Sequence, residues 1–572
     1  MKRFIFILCS FCVLFSCKED ITFADSIYHK ATIYTVDDSL PYAEAIAVKG
    51  DRILFIGSEK EIKKYSNQET NWIDCRGNFL MPGFIEGHGH FAGMGELLLN
   101  VNLMRTSSWE EIVAEVKKKI DQSKPGEWIE GRGWHQEKWT STPEQNVHGY
   151  PFHDDLSAIS PENPVVLKHA SGHSLFANNA AMEAAEVTKE TKSPKGGEII
   201  RDAEGTAVGV FEERAMGLIN RAQRRYEAQL GEENLANKWY QGVELAQNEC
   251  LSKGITSFQD AGSSLDELND YSSLAKENKL SIRLWAMLRT TAERMEGNIK
   301  GVRQIGTGNN HFTCRAIKSE LDGALGSFGA WLLSEYEDKP GFLGQNTTEI
   351  AELKEIATLA KSNDMQLCIH AIGDKANRKS LDVIEEFTTL ESDFRWRIEH
   401  AQHLSTDDIK RFKELNCIAS MQGIHCTSDA PFVEKRLGRK RAEEGAYPWR
   451  SLIDAGAVVT NGTDAPVEDV DPIQCFYASV TRKRIDTGFE FFPSQAMTRA
   501  EAIKSYTYNN AYAAFEDELK GSLKIGKLAD MVLLSKNLLD VPDSEILQTK
   551  VLLTIVGGHI KFQNEDLFKP ID

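Results

Sequence analysis

The sequence predicts an α/β protein built around an eight-stranded parallel barrel, and three observations support this prediction. Apolar strand-like segments alternate with helical segments through the middle of the chain. Further strand-like segments cluster at both ends, and polar residues follow the ends of the central strands. Strands that alternate with helices indicate βα units and a parallel sheet. Eight such units are typical of a (β/α)8 barrel.

The first predicted barrel strand is Phe84–His88, which ends an apolar run interrupted by Pro82-Gly83. The others are Ile255–Asp260, Ile282–Leu288, Arg315–Leu321, Gln366–His370, Arg395–His400, Ile418–Gln422 and Val458–Gly462. Helices are predicted between them at Leu235–Ser252, Thr348–Ser362, Lys375–Phe387 and Asp407–Leu415. The interval from about residue 97 to residue 224 is too long for a single loop, so it predicts an inserted subdomain.

Both ends of the chain carry strand patterns. Arg52–Gly57 near the start and Leu528–Leu534 near the end are apolar runs close to turn-forming glycines. Two β-rich ends around a large middle predict one small β-sandwich made from residues 26–82 and 515–572. The barrel is then expected over residues 83–514. With 572 residues, the chain is long enough for more than one domain.

The first residues predict an export signal. Lys2 and Arg3 precede the apolar run Phe4–Phe15, which is too short to span a bilayer. Leu14-Phe15-Ser16-Cys17 resembles a bacterial lipobox, which implies removal of residues 1–16 and lipid attachment at Cys17. Residues 17–25 would be a linker, and the lipid would be the only contact with a bacterial envelope membrane. We expect the outer membrane, on its periplasmic or cell-surface side; the alternative is an ordinary signal peptide cut nearby.

Composition narrows the range of partners. The apolar and charged fractions, 41% and 26%, are those of an ordinary globular protein. A formal net charge of −19 disfavours nucleic acid as a partner, because phosphates would be repelled. The cysteines after Cys17 contain no Cys-x-x-Cys pair, so they predict buried thiols and not a disulfide framework.

Two histidines stand at the end of the first predicted barrel strand. One glycine separates His88 from His90, and alternate residues of a strand share a face. Two neutral imidazoles on one face can bind one metal ion. Because a His-x-His pair also arises by chance, its meaning depends on ligands elsewhere in the chain.

Polar residues recur at the ends of later predicted strands. Strand five ends at His370, strand six ends at His400, and Asp464 follows strand eight. In a (β/α)8 barrel these strand ends converge on one mouth, where active sites lie. Four histidines and an aspartate at that mouth favour a site for zinc or a similar divalent ion. Each of them alone is equally consistent with an ordinary core or loop position.

With these motifs in order, the sequence resembles the amidohydrolase superfamily, and within it the third amidohydrolase family, which includes N-substituted formamide deformylases. The resemblance covers nearly all of the chain after the signal. It rests on Pro-Gly-Phe-Ile-Glu-Gly-His88-Gly-His90, Gly-Arg-Gly-Trp134, Ser-Gly-His173-Ser, Lys318-x-x-x-Asp322-Gly, His370-Ala-Ile-Gly-Asp, Arg-Ile-Glu-His400, Met-Gln-Gly-Ile-His425 and Gly-Thr-Asp464-Ala-Pro. Glu86 departs from the pattern, since an aspartate is usual there.

The resemblance implies a TIM-type metallo-hydrolase barrel flanked by the β-sandwich, and it implies roles for individual residues. The implied metal ligands are His88, His90, Lys318, His370, His400 and Asp464, and Asp464 is also the implied catalytic proton shuttle. Lys318 occupies the position of a carboxylated lysine that can bridge two ions; the alternative is an ion-paired lysine beside a single ion. The residues assigned to substrate contact are His173, His425 and Asp322.

The implied activity is hydrolysis of a non-peptide carbon–nitrogen bond, in an N-acyl or N-formyl amine, by hydroxide formed at a divalent metal. Zinc is the first choice of metal, with one or two ions. One alternative is a deaminase of a cyclic amidine or nucleobase-like compound. Another is a surface lipoprotein that binds a ligand without turnover. The sequence leaves open the substrate and whether the chain forms a homo-oligomer.

Overall fold

The computed structural model describes residues 22–136, 139–170, 172, 174–194, 197–389, 391–566 and 568. The predicted signal with Cys17, and the predicted substrate residue His173, lie outside these ranges. Within them, no helix combines the length and the apolar character needed to cross a membrane.

Eight parallel strands form a nearly closed barrel. We label them β1 (Phe84–Gly89), β2 (Ile255–Ser263), β3 (Arg283–Leu288), β4 (Phe312–Glu320), β5 (Gln366–Ala371), β6 (Arg397–His400), β7 (Ile418–Gln422) and β8 (Val459–Gly462). Each pairs in parallel with the strand before it. Their residues are almost all buried, as expected for a parallel sheet with helices on its outer face. The predicted fold class is confirmed, and each strand overlaps its predicted segment.

The seam between β8 and β1 is bridged by a side chain. The amide of Asn510 donates to the carbonyl of Ile85 on β1 (2.6 Å) and to that of Asn461 on β8 (2.8 Å). Gly87 makes this approach possible, since a Cβ there would lie 2.4 Å from the Asn461 carbonyl oxygen. Nearer the mouth, the Asp464 N–H donates to the carbonyl of His88 (2.7 Å). The first and last strands are therefore held together at the point where ligands were predicted.

Helices occur in the barrel, in the inserted region and beside the N-terminal strands, and several of them connect barrel strands. In chain order they are Glu59–Ile62, Phe91–Leu99, Trp109–Ile120, Asp154–Ile159, Asn179–Ala184, Met216–Leu230, Glu232–Ser252, Leu265–Lys276, Ala292–Asn298, Thr307–Asn310, Ile350–Ser362, Asp374–Phe387, Thr406–Glu414, His425–Ser428, Ala430–Leu437, Arg439–Gly445, Trp449–Asp454, Pro472–Thr481, Arg499–Ser505 and Tyr508–Ala513. Short 3-10 turns occur at Lys63–Tyr65, Pro493–Gln495 and Asp543–Gln548. Polar side chains cap the N-termini of several helices. Ser264, for example, forms a capping box with Glu267 at the start of the helix Leu265–Lys276.

An inserted sheet separates β1 from β2. Its strand order is Gly197–Arg201, Ala207–Glu213, Ser174–Ala177, Val165–His169, Ile129–Trp134 and Val101–Asn102. A separate hairpin pairs Asn146–Val147 with Tyr150–Pro151. The helix Phe91–Leu99 leads from β1 into this region, and Glu232–Ser252 leads back to β2. These two helices touch closely, since a Cβ on Gly95 would lie 2.5 Å from the carbonyl oxygen of Gly242.

Strands from both chain ends form two further sheets. One has the order Arg52–Gly57, Ala45–Lys49, Ser26–His29 and Asn71–Asp74; the other has His559–Gln563, Val551–Val556, Met531–Leu534, Phe79–Pro82, Thr32–Tyr34 and Tyr42–Ala43. Outside these two sheets, the short strand Gln304–Gly306 pairs with β4 of the barrel.

The two chain ends meet in the second of these sheets, where Leu80 from the N-terminal part opposes Leu533 from the C-terminal part in an antiparallel pair. Both ends therefore share one apolar core. The described cysteines are free and buried.

Candidate active site

The mouth of the barrel begins with two histidines at the end of β1, His88 inside the strand and His90 just after it. His88 is buried at the end of the strand, and His90 is half-buried and precedes the helix Phe91–Leu99. The backbone of His90 is held by its N–H, which donates to the carbonyl of Ala465 (2.6 Å). The two ring centroids lie 5.8 Å apart. Both imidazoles therefore face the same region beside β8.

Two more histidines approach from β5 and β6. The ring centroids of His370 and His400 are 4.5 Å apart, and those of His88 and His400 are 4.7 Å apart. Burial, and then the positive charge of Lys318, lower the pKa of His370 to about 3. The pKa of His400 also lies well below its usual value because of burial and the neighbouring imidazoles. These rings are therefore neutral, which is the form that binds a metal.

Asp464 lies between these histidines. Its Oδ1 is 3.2 Å from Nε2 of His90 and 3.6 Å from Nε2 of His88. Its backbone has a φ of +61°, an uncommon value for a residue with a side chain. Burial would raise the pKa of Asp464, but the adjacent imidazoles of His90 and His88 hold it well below its usual value. The carboxylate is therefore ionised where several ring nitrogens meet.

A second layer of side chains orients two of the rings. Nδ1 of His88 hydrogen-bonds to Glu399, and Nδ1 of His400 lies 2.7 Å from Oε1 of Gln422. Arg397 donates to the other oxygen of Glu399 and keeps that carboxylate ionised, so the pKa of Glu399 is far below normal. A ring that donates from Nδ1 has an unprotonated Nε2 available for a metal.

Both carboxylate oxygens of Asp322 accept hydrogen bonds from backbone N–H groups. Its two oxygens accept the backbone N–H groups of Ile372 and Gly373, at 2.9 and 2.8 Å, and that of Trp331, at 2.8 Å. It is buried, and burial raises its pKa to about 7. Nε2 of His370 lies 3.6 Å from its Oδ1. In the structure Asp322 therefore organises the loop that follows His370.

Lys318 projects from β4, where it is paired in register with Cys368 of β5. It is only 2% exposed, and its charge contributes to the low pKa values of His370 and His88. The structure thus places Lys318 within reach of the histidine cluster. An unmodified ammonium group at this position would oppose a bound cation.

His425, which was predicted to contact substrate, lies close to His400 and Asp464. Its ring stacks on that of His400 with the centroids 6.2 Å apart. Ligand atoms of His400, His425 and Asp464 all lie within 4.8 Å of one another. The same is true of His88, His90 and Asp464, so Asp464 belongs to two potential metal-binding groups.

Some contributors were not predicted. Glu399 and Gln422 orient ring nitrogens, and Glu86 accepts the backbone N–H of Thr463 (2.6 Å) across the barrel seam. Burial raises the pKa of Glu86 to about 8. The signal for Glu399 was present, because it precedes His400 in Arg-Ile-Glu-His. The partner of Gln422 could not be read from the sequence, because β6 and β7 meet only in the fold.

The donor set fits a divalent ion such as zinc. Nε2 of His88, Nε2 of His370 and Oδ1 of Asp464 are buried, and no aligned hydrogen-bond partner reaches them from the described residues. Short distances without hydrogen-bond alignment are expected where imidazole and carboxylate ligands point to one centre. Neutral imidazoles and a carboxylate are also the ligands that zinc prefers.

The sequence matches a family model described as "Amidohydrolase family" over residues 71–562. The chain belongs to the amidohydrolase family. The matched range contains every predicted metal ligand and spans most of the chain. The resemblance inferred from the motifs is therefore confirmed.

Individual relatives agree with this membership. Protein LONG AFTER FAR-RED 3 of Arabidopsis thaliana is 32% identical over 94% of this chain and 91% of its own length. N-substituted formamide deformylase of Arthrobacter pascens is 25% identical over 94% of this chain and 98% of its own length. The crystal structure of an uncharacterized metal-dependent hydrolase from Pyrococcus horikoshii OT3 superimposes with a TM-score of 0.73 and 26% sequence identity. The match covers 91% of this chain and 99% of that chain. This amidohydrolase is thus a metal-binding hydrolase with a barrel fold.

Proposed function

We propose that this amidohydrolase cleaves a non-peptide carbon–nitrogen bond in an N-acyl or N-formyl amine. The observation that carries the proposal is the buried, ionised carboxylate of Asp464, which lies among neutral imidazoles. A carboxylate in this setting can serve both as a metal ligand and as a base. The similarity to N-substituted formamide deformylase of Arthrobacter pascens supports an N-formyl or N-acyl substrate.

The residues that would hold the metal are His88, His90, His370, His400 and Asp464, with zinc proposed as the ion. Bound there, a divalent ion acts as a Lewis acid and lowers the pKa of a water molecule from 15.7 to about 7. The second layer supports this role, because Glu399 and Gln422 leave the Nε2 atoms of their histidines available.

Asp464 would move the proton. As the water oxygen bonds to the carbonyl carbon, the carboxylate of Asp464 accepts the water proton. When the carbon–nitrogen bond breaks, it passes that proton to the leaving nitrogen, so that acid and amine are released. General acid–base catalysis of this kind contributes typically 10²–10⁴-fold to the rate.

We also propose that Lys318 is carboxylated, because a carbamate removes the positive charge that would oppose a metal at this buried position. Apo-protein loaded with zinc in the presence of bicarbonate should then bind up to two ions, and at most one without it. Lys318→Met should abolish the bicarbonate effect. Equal stoichiometry with and without bicarbonate would support an ion-paired lysine beside one ion.

The lipid anchor is a further proposal and rests on the lipobox-like Leu14–Cys17. Full-length protein produced in a bacterial host should partition with envelope membranes, and Cys17→Ser should release it. Soluble wild-type protein would contradict this proposal.

The function is best tested with purified protein whose metal content is measured on the same sample. A panel of N-formyl and N-acyl amines should release free amine in proportion to bound metal, and a chelator should abolish release. Ammonia release from cyclic amidines without amide cleavage would instead indicate a deaminase. Absence of turnover on both classes by metal-loaded protein would indicate a binding protein.

A further inference from the structure

Arg132 of the inserted sheet lies beside the candidate active site. It belongs to the strand Ile129–Trp134 and lines a small cavity together with Gly93, on the helix that follows His90. A Cβ built on Gly93 would lie 3.5 Å from the Cβ of His90 and 3.7 Å from the Cδ of Pro466. Arg132 thus lines a cavity whose wall includes Gly93, which lies three residues after His90.

The other charges around this cavity are paired. Glu96 lies 2.7 Å from the ammonium of Lys168. Glu130 lies 2.9 Å from that of Lys238. Both nearby carboxylates therefore already have a cation at hydrogen-bond distance.

Arg132 has no such partner among the described residues. Its Nη2 donates one long hydrogen bond, 3.4 Å, to the carbonyl of Ala170. Its Nε is buried, and no described residue accepts a hydrogen bond from it. Burial lowers the pKa of Arg132, and the negative charges of Glu96 and Asp464 partly offset this decrease. A half-buried guanidinium is thus left with unused donors, in a region where the charge of Asp464 acts on it.

We propose that Arg132 binds a carboxylate of the substrate, so that the preferred substrates are N-acyl or N-formyl amines with an acidic group close to the scissile bond. This inference rests on the proposed amide hydrolysis. A guanidinium presents parallel donors that match a carboxylate, and such charge-assisted bonds are stronger than neutral ones. The inserted subdomain would then determine specificity, while the barrel carries the chemistry.

The test compares two substrates that differ only in the carboxylate, N-acetylphenylalanine and N-acetylphenethylamine, with metal-loaded enzyme. Wild-type protein should prefer the acid. In Arg132→Met, kcat/KM for the acid should fall by about 10–100-fold, mainly through KM, while kcat/KM for the neutral amide should change by less than about threefold. Arg132→Lys should restore part of the preference.

A matched control is Arg105→Met, which removes an exposed arginine already paired with Asp469. It should leave both rates within about twofold of wild type. Equal losses on both substrates in Arg132→Met would show a purely structural role and overturn the inference. If no amide of the N-formyl and N-acyl panel is cleaved, the proposed function fails, and calorimetric binding of N-acetylphenylalanine then tests Arg132 alone. Weaker binding by the variant supports the carboxylate site, and unchanged binding overturns it.

Discussion

Two buried arginine–carboxylate pairs in this molecule have the same chemistry and different surroundings. Arg397 and Glu399 lie beside the candidate site, where Arg397 also donates to Gln259 (2.5 Å). Arg283 and Asp530 join β3 to the C-terminal strands through two parallel bonds of 2.7 and 3.0 Å. All four side chains are almost fully buried.

The pairs differ in what the carboxylate does with its second oxygen. Asp530 uses both oxygens on Arg283, and one of them also accepts the backbone N–H of Gly557 (2.8 Å). Glu399 gives one oxygen to Arg397 and the other to His88. We call Arg283–Asp530 the closed pair, because both carboxylate oxygens bind the arginine and the pair joins two parts of the fold. Arg397–Glu399 is the open pair, because one carboxylate oxygen is left to bind the ring of His88. Substitutions in the two pairs should therefore separate an effect on stability from an effect on metal binding.

Asp464→Asn should have the largest effect on activity. An amide cannot accept the water proton, so kcat should fall by about 10²–10⁴-fold, while much of the metal remains because the histidines are intact. Steady-state kinetics and metal analysis on the same sample check this. Near-normal turnover in the variant would exclude Asp464 as the proton shuttle.

Asp530→Asn makes the same substitution in the closed pair and should act on stability alone. It leaves the buried guanidinium of Arg283 without a counter-charge, which typically costs about 3–5 kcal/mol in the free energy of unfolding. Denaturant unfolding measures the loss. Zinc affinity should stay within about threefold of wild type, and a large loss of affinity would contradict the separation of the two pairs.

Glu399→Gln should weaken metal binding by about 10–100-fold, because the ring of His88 loses its charged partner. Competition with a chromophoric chelator measures the affinity without relying on activity. Gln422→Glu is the converse substitution, since it places a carboxylate beside Nδ1 of His400, as Glu399 stands beside Nδ1 of His88. An unchanged zinc affinity in Glu399→Gln would show that the orientation of His88 does not depend on this carboxylate.

His403 should give the smallest effect, in a pH profile. It is buried without partners for either ring nitrogen among the described residues, and burial lowers its pKa to about 3. The unfolded chain protonates near pH 6.5 and the folded chain only near 3, so stability is lost as pH falls through this window. His403→Asn should flatten the fall by up to about 1.4 kcal/mol per pH unit between pH 6 and 4. If the unfolding free energies of wild type and variant fall equally with decreasing pH, His403 does not contribute to the pH dependence of stability.

Much of the fold was accessible from the sequence because local patterns specify it. Each barrel strand was predicted from a short apolar run, and the helix Asp374–Phe387 was predicted over Lys375–Phe387. The inserted region was predicted as a subdomain, but its strand order was not, because its strands pair in an order that differs from their order in the chain. The substrate assignment of Asp322 did not anticipate its three backbone N–H partners, which come from two separate loops.

The sequence by itself determined which residues stand at the strand ends, because side chains alternate along a strand and parallel strands end on one side of a barrel. His88, His370, His400 and Asp464 were identified in this way and by their motifs. Tertiary structure decided their partners: Glu399 for His88, Gln422 for His400, and His425 close to Asp464. These contacts join residues of different strands or loops, so they depend on how the barrel closes. The unpaired guanidinium of Arg132 likewise emerges only when the inserted sheet packs against the barrel and the neighbouring charges take their partners.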